Sequence, residues 1–142
     1  MAQKSLPTLI RVANFDVDEQ RRMLGQLLTG ENRILEQIAS LEQQFAEEKE
    51  LARTNDEALF QFQAYLQHYT LQKANLHQQL DDMRQQIEDQ REVLGEAFRV
   101  LKTYELAQRE RERIEREEEA RKEQDFLNEV GQNIYRRKDD AG

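Results

Sequence analysis

The sequence predicts an all-α chain: two long helices in an antiparallel coiled-coil hairpin, with a projecting C-terminal helix. Three observations carry this. The first is composition. Of 142 residues 35% are charged, with five Gly, one Pro and no Cys or Trp. So few turn formers leave little for the corners of a sandwich, a barrel or a doubly wound sheet. The excess of Leu, Glu, Gln, Arg and Ala is that of long helices. The second is a seam. Stepping alternately three and four residues from Ile10 to Tyr104 meets an apolar side chain everywhere except Gln20, Glu31, Glu48, Asn55, Lys73 and Gln90. A repeat sustained over that length is the mark of helices that supercoil. The third is where the exceptions fall. In an in-register parallel dimer Glu31, Glu48 and Lys73 would each face its own copy, which is unfavourable at a seam. In a hairpin folded about residue 55, Gln20 and Gln90 share one layer. Glu31 opposite Leu80 and Lys73 opposite Ile38 can then turn their charged heads to water. The same fold pairs Leu24 with Ile87, Leu27 with Met83, Ile34 with Leu76, Phe45 with Leu66, Val17 with Leu94 and Ile10 with Leu101.

The chain, residues 1–142, reads as a single coiled-coil hairpin. Helix one is expected over about 6–53. Pro7 suits its first turn, where a missing N–H costs nothing. Gly25 and Gly30 each weaken it by about 1 kcal/mol against Ala, which cooperative packing overrides. A turn is expected at about 53–57. There Thr54 and Glu57 have the spacing of a capping box, and Asn55 and Asp56 favour a reversal. The competing reading is one helix with a polar stretch. Helix two is expected over about 57–138 and outlasts its partner from about residue 106. In the overhang Glu112–Arg116, Glu117–Arg121 and Glu118–Lys122 have the spacing of stabilising ion pairs. Gly131 with Asn133 marks a fray or a kink. The stripe Phe126, Leu127, Val130, Ile134 and Tyr135 is either a frayed tail or a docking face.

The chemistry of catalysis is missing from the pattern. There is no Gly-rich phosphate loop and no Cys nucleophile, and a two-helix hairpin offers no pocket to hold a Ser-His-Asp set away from water. His68 and His77 lack the spacing that puts two metal ligands on one helix face. Asp81-Asp82 and Glu88-Asp89 lack the calcium-loop pattern. No enzyme activity, cofactor or metal is expected. The net charge is −8, from 21 basic and 29 acidic residues. The charges of residues 109–123 alternate in sign, so a solvated face is expected there and no nucleic-acid partner. No segment approaches the roughly 18 apolar residues of a membrane span, and the N-terminus lacks the apolar core of a secretory signal. A cytoplasmic location follows as the expectation.

Apolar residues off the seam are more telling. Phe15, Phe60 and Leu71 face away from the hairpin partner, and Tyr65 lies beside the seam. Phe60, Tyr65, Tyr69 and Leu71 crowd the hairpin end. Such a cluster marks either a partner surface or local packing at the turn.

The opening stretch carries a short leader, a Leu-rich turn, Val17-Asp18-Glu19, the basic Arg21 and Arg22, then Leu24 and Leu28. It resembles the start of FliJ-type proteins, the stalk component of the flagellar type III export ATPase complex. The length, the hairpin position and the charged C-terminal helix extend the resemblance over most of the chain. It implies a non-catalytic stalk. The paired terminal ends would enter the ring of the hexameric flagellar export ATPase and promote its assembly and activity. The chain would also bind the cytosolic domain of the export gate protein and escort export chaperones, peripheral to the cytoplasmic face of the inner membrane. The family's gate contact lies on both helices toward the hinge, and the segment from Phe62 to Tyr69 looks like that region. The candidate gate-binding residues are therefore Tyr65 and Tyr69, with Leu41, Phe60 and Leu71. A structural scaffold or homodimer with no ATPase partner is the alternative.

Overall fold

A computed structural model of the chain describes residues 5–141. Among them it has two helices and no strand: α1, Leu6–Thr54, and α2, Asp56–Ala141. Met1 to Lys4, the start of the leader, lie outside the described residues. Ser5 caps α1. Its hydroxyl oxygen accepts the amide of Thr8 at 3.4 Å, and its carbonyl accepts the amide of Leu9 at 3.0 Å. Pro7 then sits in the first turn, as expected.

The reversal uses one non-helical residue, Asn55. Its side-chain oxygen accepts the amides of Glu57 at 2.9 Å and Ala58 at 3.4 Å, and its carbonyl starts α2 by accepting the amide of Leu59 at 3.0 Å. Asn55 is therefore the N-cap, and the capping box expected of Thr54 and Glu57 does not form. Thr54 still belongs to α1, so its hydroxyl turns back to the carbonyl of Leu51 at 3.2 Å. Arg53 in the last turn of α1 and Asp56 and Glu57 in the first turn of α2 match the two helix dipoles.

The described chain forms two compact units. In residues 15–98 the buried hydrophobics are Val17, Ile34, Leu41, Ala52, Tyr69, Leu76, Leu80, Ile87 and Ala97. Every one lies on the predicted seam. Gln20 and Gln90 meet as expected, the Gln90 amide donating to the Gln20 side-chain oxygen at 2.7 Å. Glu31 turns toward Arg84 at 3.3 Å. Two seam positions fail: Leu59 and Leu66 are exposed. Gly30 permits a close approach, since a Cβ there would stand 3.0 Å from Cε of Met83.

Among the described residues the other unit joins 5–14 with 99–141. Ala13 and Leu101 are its buried hydrophobics, with Ile10 and Tyr104 half-buried. From residue 109 to residue 141 every side chain is exposed. The ion pairs of this stretch differ from those expected: Arg113 bridges Glu110 and Glu117, at 2.5 Å each. One arginine between two carboxylates takes the place of three separate pairs. α2 runs on through Gly131 to Ala141, so the helix does not fray at that glycine.

Candidate functional site

The predicted site lies in residues 15–98, on the turn side of α2. Its inner face is an aromatic cluster. Phe45 of α1 stacks on Tyr69 of α2 with ring centroids 4.2 Å apart, and Phe62 stands 5.9 Å from Phe45. Tyr65 lies 6.1 Å from Phe62 and 6.4 Å from Tyr69. Phe45 thus meets Tyr69 and Phe62, where the sequence reading paired it with Leu66. The seam of α2 near the turn runs through Ala58, Phe62, Tyr65 and Tyr69, one place earlier than the repeat predicts at two of its steps. Tyr65, in the place expected of Leu66, adds a ring beside Phe62 and Tyr69, and aromatic pairs add about 0.5–1.5 kcal/mol beyond their buried area.

That shift decides where the candidate residues sit. Tyr69 and Leu41 are buried core, 7% and 8% exposed, in one cluster with Leu76. Tyr65, expected beside the seam, packs half-buried against the same cluster. Its hydroxyl is buried without a hydrogen-bond partner, and burial, with Glu48 nearby, pushes its pKa above the usual tyrosine range. Phe60 and Leu71 face outward as expected, 83% and 65% exposed. Leu41 and Leu76 also floor a shallow groove walled by Gln37, Gln44, Gln72 and Gln79.

A polar clasp closes the cluster on one side. The Tyr69 hydroxyl donates to both carboxylate oxygens of Glu42 at 2.8 Å. The Lys73 ammonium reaches Glu42 at 3.4 Å and the Tyr69 hydroxyl at 3.3 Å, and lies 5.5 Å from the Tyr69 ring centroid. The hydrogen bond from Tyr69, and then Lys73, hold the Glu42 carboxyl below its ordinary pKa. The hydrogen bonds to Tyr69 first, and then to Glu42, raise the pKa of Lys73.

The displaced seam residues make a surface that the sequence reading missed. Leu66 joins Gln67, Thr70, Leu71 and Ala74 around an apolar hollow on α2. Phe60, Ala64, Gln67, Leu71 and Ala74 recur at helical spacing along the same exposed face. The signal was present: Ala58, Phe62, Tyr65 and Tyr69 obey a 4,3,4 spacing that competes with the repeat through Leu59 and Leu66. His68 and His77 are exposed. Apolar side chains on an open helix face can bind a partner surface; among the described residues no group of His, Asp or Glu is placed to hold a metal ion.

A family model described as the flagellar FliJ protein matches residues 2–140. The chain belongs to the FliJ family. Membership places it in protein export for the bacterial flagellum, in a family of non-catalytic export components. No curated protein matches the chain, and no solved structure does. As a FliJ-family member it has, among the described residues, no helix long and apolar enough to cross a membrane.

Proposed function

We propose that this FliJ-family chain is the stalk of the flagellar export ATPase. Its paired terminal segments enter the ring of the hexameric enzyme and promote its assembly and turnover. Its turn-side surface binds the cytosolic domain of the export gate protein, and export chaperones are escorted by the same hairpin. The chain contributes no catalytic group, since hydrolysis belongs to the ATPase. It is held at the cytoplasmic face of the inner membrane through these partners.

One observation supports the reading most: residues 109–141 of α2 are helical and exposed, yet carry Phe126, Leu127, Val130, Ile134 and Tyr135. A solvated helix with an apolar stripe suits insertion into another protein. On the turn side, exposed Phe60, Leu66 and Leu71 suit the gate contact, while Tyr69 and Leu41 support that surface from beneath. Tyr65 belongs with them, as a packing residue under the contact. The scaffold homodimer loses ground because the seam is satisfied within one chain.

The test is hydrolysis by the export ATPase with and without this protein. Full-length protein should raise turnover. A chain ending at Gln108 should nearly keep its melting temperature, because every removed side chain is exposed, but should lose most of the stimulation. Undiminished stimulation by the shortened chain would remove the C-terminal segment from the ring.

A further inference from the structure

We propose that the Gln20–Gln90 pair is a register pin: a hydrogen-bonded polar layer that holds α1 and α2 in one axial alignment and excludes heptad slips. The Gln90 side-chain nitrogen donates to Oε1 of Gln20 at 2.7 Å and to its backbone carbonyl at 3.1 Å. Gln20 in turn donates its own amide to Asp16 at 3.1 Å, which aims Oε1 at Gln90. The two glutamines are equidistant along the chain from Asn55, so they meet only when the chain folds on that residue. Both are half-buried, with the seam residues Val17, Leu24, Ile87 and Leu94 in the adjoining layers.

An apolar seam by itself tolerates a slip. Moving one helix by seven residues sets leucines against other leucines or alanines. The glutamines do not tolerate it. A slip in one direction sets Gln20 against Ala97 and Gln90 against Leu27, and in the other direction sets Gln20 against Met83. Each leaves amides inside the seam with no partner, and unmade hydrogen bonds in a packed layer disfavour that arrangement. The close approach of Gly30 to Met83 belongs to the same alignment.

The turn does not make this pin redundant. Between Asn55 and Tyr69 the α2 seam runs through Ala58, Phe62 and Tyr65, and beyond Tyr69 it returns to the frame of Leu76, Leu80 and Ile87. Near the turn, then, two of the inward-facing residues, Ala58 and Tyr65, lie off the frame that the long part of the hairpin follows. Past that point inter-helix hydrogen-bonded contacts hold the long part of the hairpin, the half-buried Gln20–Gln90 layer and Arg84 with Glu31, whose bond is exposed. Under the proposed function, on which this last point rests, a fixed alignment matters because a heptad slip moves one helix surface about 10 Å past the other.

The chain has no cysteine, so introduced pairs report alignment directly. Leu24→Cys with Ile87→Cys reads the observed register. Leu24→Cys with Leu94→Cys reads a heptad slip, and a disulfide cannot form across that offset unless the helices move. With both glutamines present, oxidation of the monomer should close the first pair and leave the second reduced. In the Gln20→Leu, Gln90→Leu background the chain stays helical and the second pair should close about tenfold more readily or better, because the unpartnered amides no longer oppose the slip. Two results overturn the proposal. One is a slipped pair that closes as readily as the first with both glutamines in place. The other is a helical, monomeric double-leucine variant whose slipped pair stays reduced. The first measurement needs no glutamine variant, so the proposal stays testable if the leucine variant does not fold, and neither measurement involves the ATPase.

Discussion

Tyr65→Phe removes one oxygen, and the structure predicts that the protein becomes more stable. The hydroxyl is buried beside the Leu41, Tyr69 and Leu76 cluster with no hydrogen-bond partner. The ring itself packs 6.1 Å from Phe62 and 6.4 Å from Tyr69, contacts that Phe keeps. Leaving a buried polar group unpaired costs roughly 1–3 kcal/mol. Because the residue as a whole is only half-buried, the low end applies, a gain of about 1 kcal/mol. For a chain of this length that raises the melting temperature by about 3 °C. Thermal and urea unfolding followed by far-UV circular dichroism measure it. Tyr69→Phe is the control of opposite sign, since it deletes the hydrogen bonds to Glu42 and should lower the midpoint. A Tyr65→Phe variant that loses as much stability as Tyr69→Phe would show that its hydroxyl is held by a partner, and the reasoning would fail.

Three further outcomes are expected. Asn55→Ala should lose about 1 kcal/mol through its cap, whereas Thr54→Ala should melt like the parent; calorimetry of the two separates the caps. Phe60→Ala with Leu71→Ala should leave the melting temperature nearly unchanged but weaken binding to the export gate roughly thirtyfold, equivalent to about 2 kcal/mol; titration calorimetry against the gate domain reads it. Because the folded-state pKa of Glu42 is lowered, its clasp contributes above the ordinary carboxylate pKa and fades as pH falls through the folded value. That of Lys73 is raised, so its share persists below the ordinary lysine value and is lost as pH climbs through the folded one. Glu42→Gln should therefore flatten the acid side of an unfolding midpoint plotted against pH.

The helices were legible because a seam repeats a weak signal many times. Buried positions such as Val17, Ile34, Leu80 and Ile87 follow directly from the alternate steps of three and four, and the Gln20–Gln90 layer follows from folding the pattern on itself. What stayed hidden was local. The choice between Thr54 and Asn55 as cap depends on whether α1 takes one more residue, which helix propensity does not resolve. The choice between Leu66 and Tyr65 as core depends on the fit of a ring beside Phe62 and Tyr69, and both residues satisfy an apolar pattern. The outward face of α2 was half legible. Phe60 and Leu71 stood off the seam, but Leu66 joins them only because Tyr65 displaced it. The resemblance to the family rests on the opening residues together with the length, the hairpin position and the charged C-terminal helix, since a seam alone resembles many others, and the family model spans residues 2–140.

The single-residue reversal at Asn55 also has a kinetic consequence. Contacts between α1 and α2 grow steadily more distant in sequence away from it: 27 residues for Glu42 and Tyr69, 53 for Glu31 and Arg84, 70 for Gln20 and Gln90. Each layer that closes brings the next within a few residues of closing, so no long loop has to be ordered at a single step. Zipping outward from Asn55 should thus be the fastest route to the native hairpin. Mutations near Phe45 and Tyr69 should slow folding, whereas those around Val17 and Leu94 should mainly speed unfolding. Stopped-flow rates for Phe45→Leu and Val17→Ala would show that polarity.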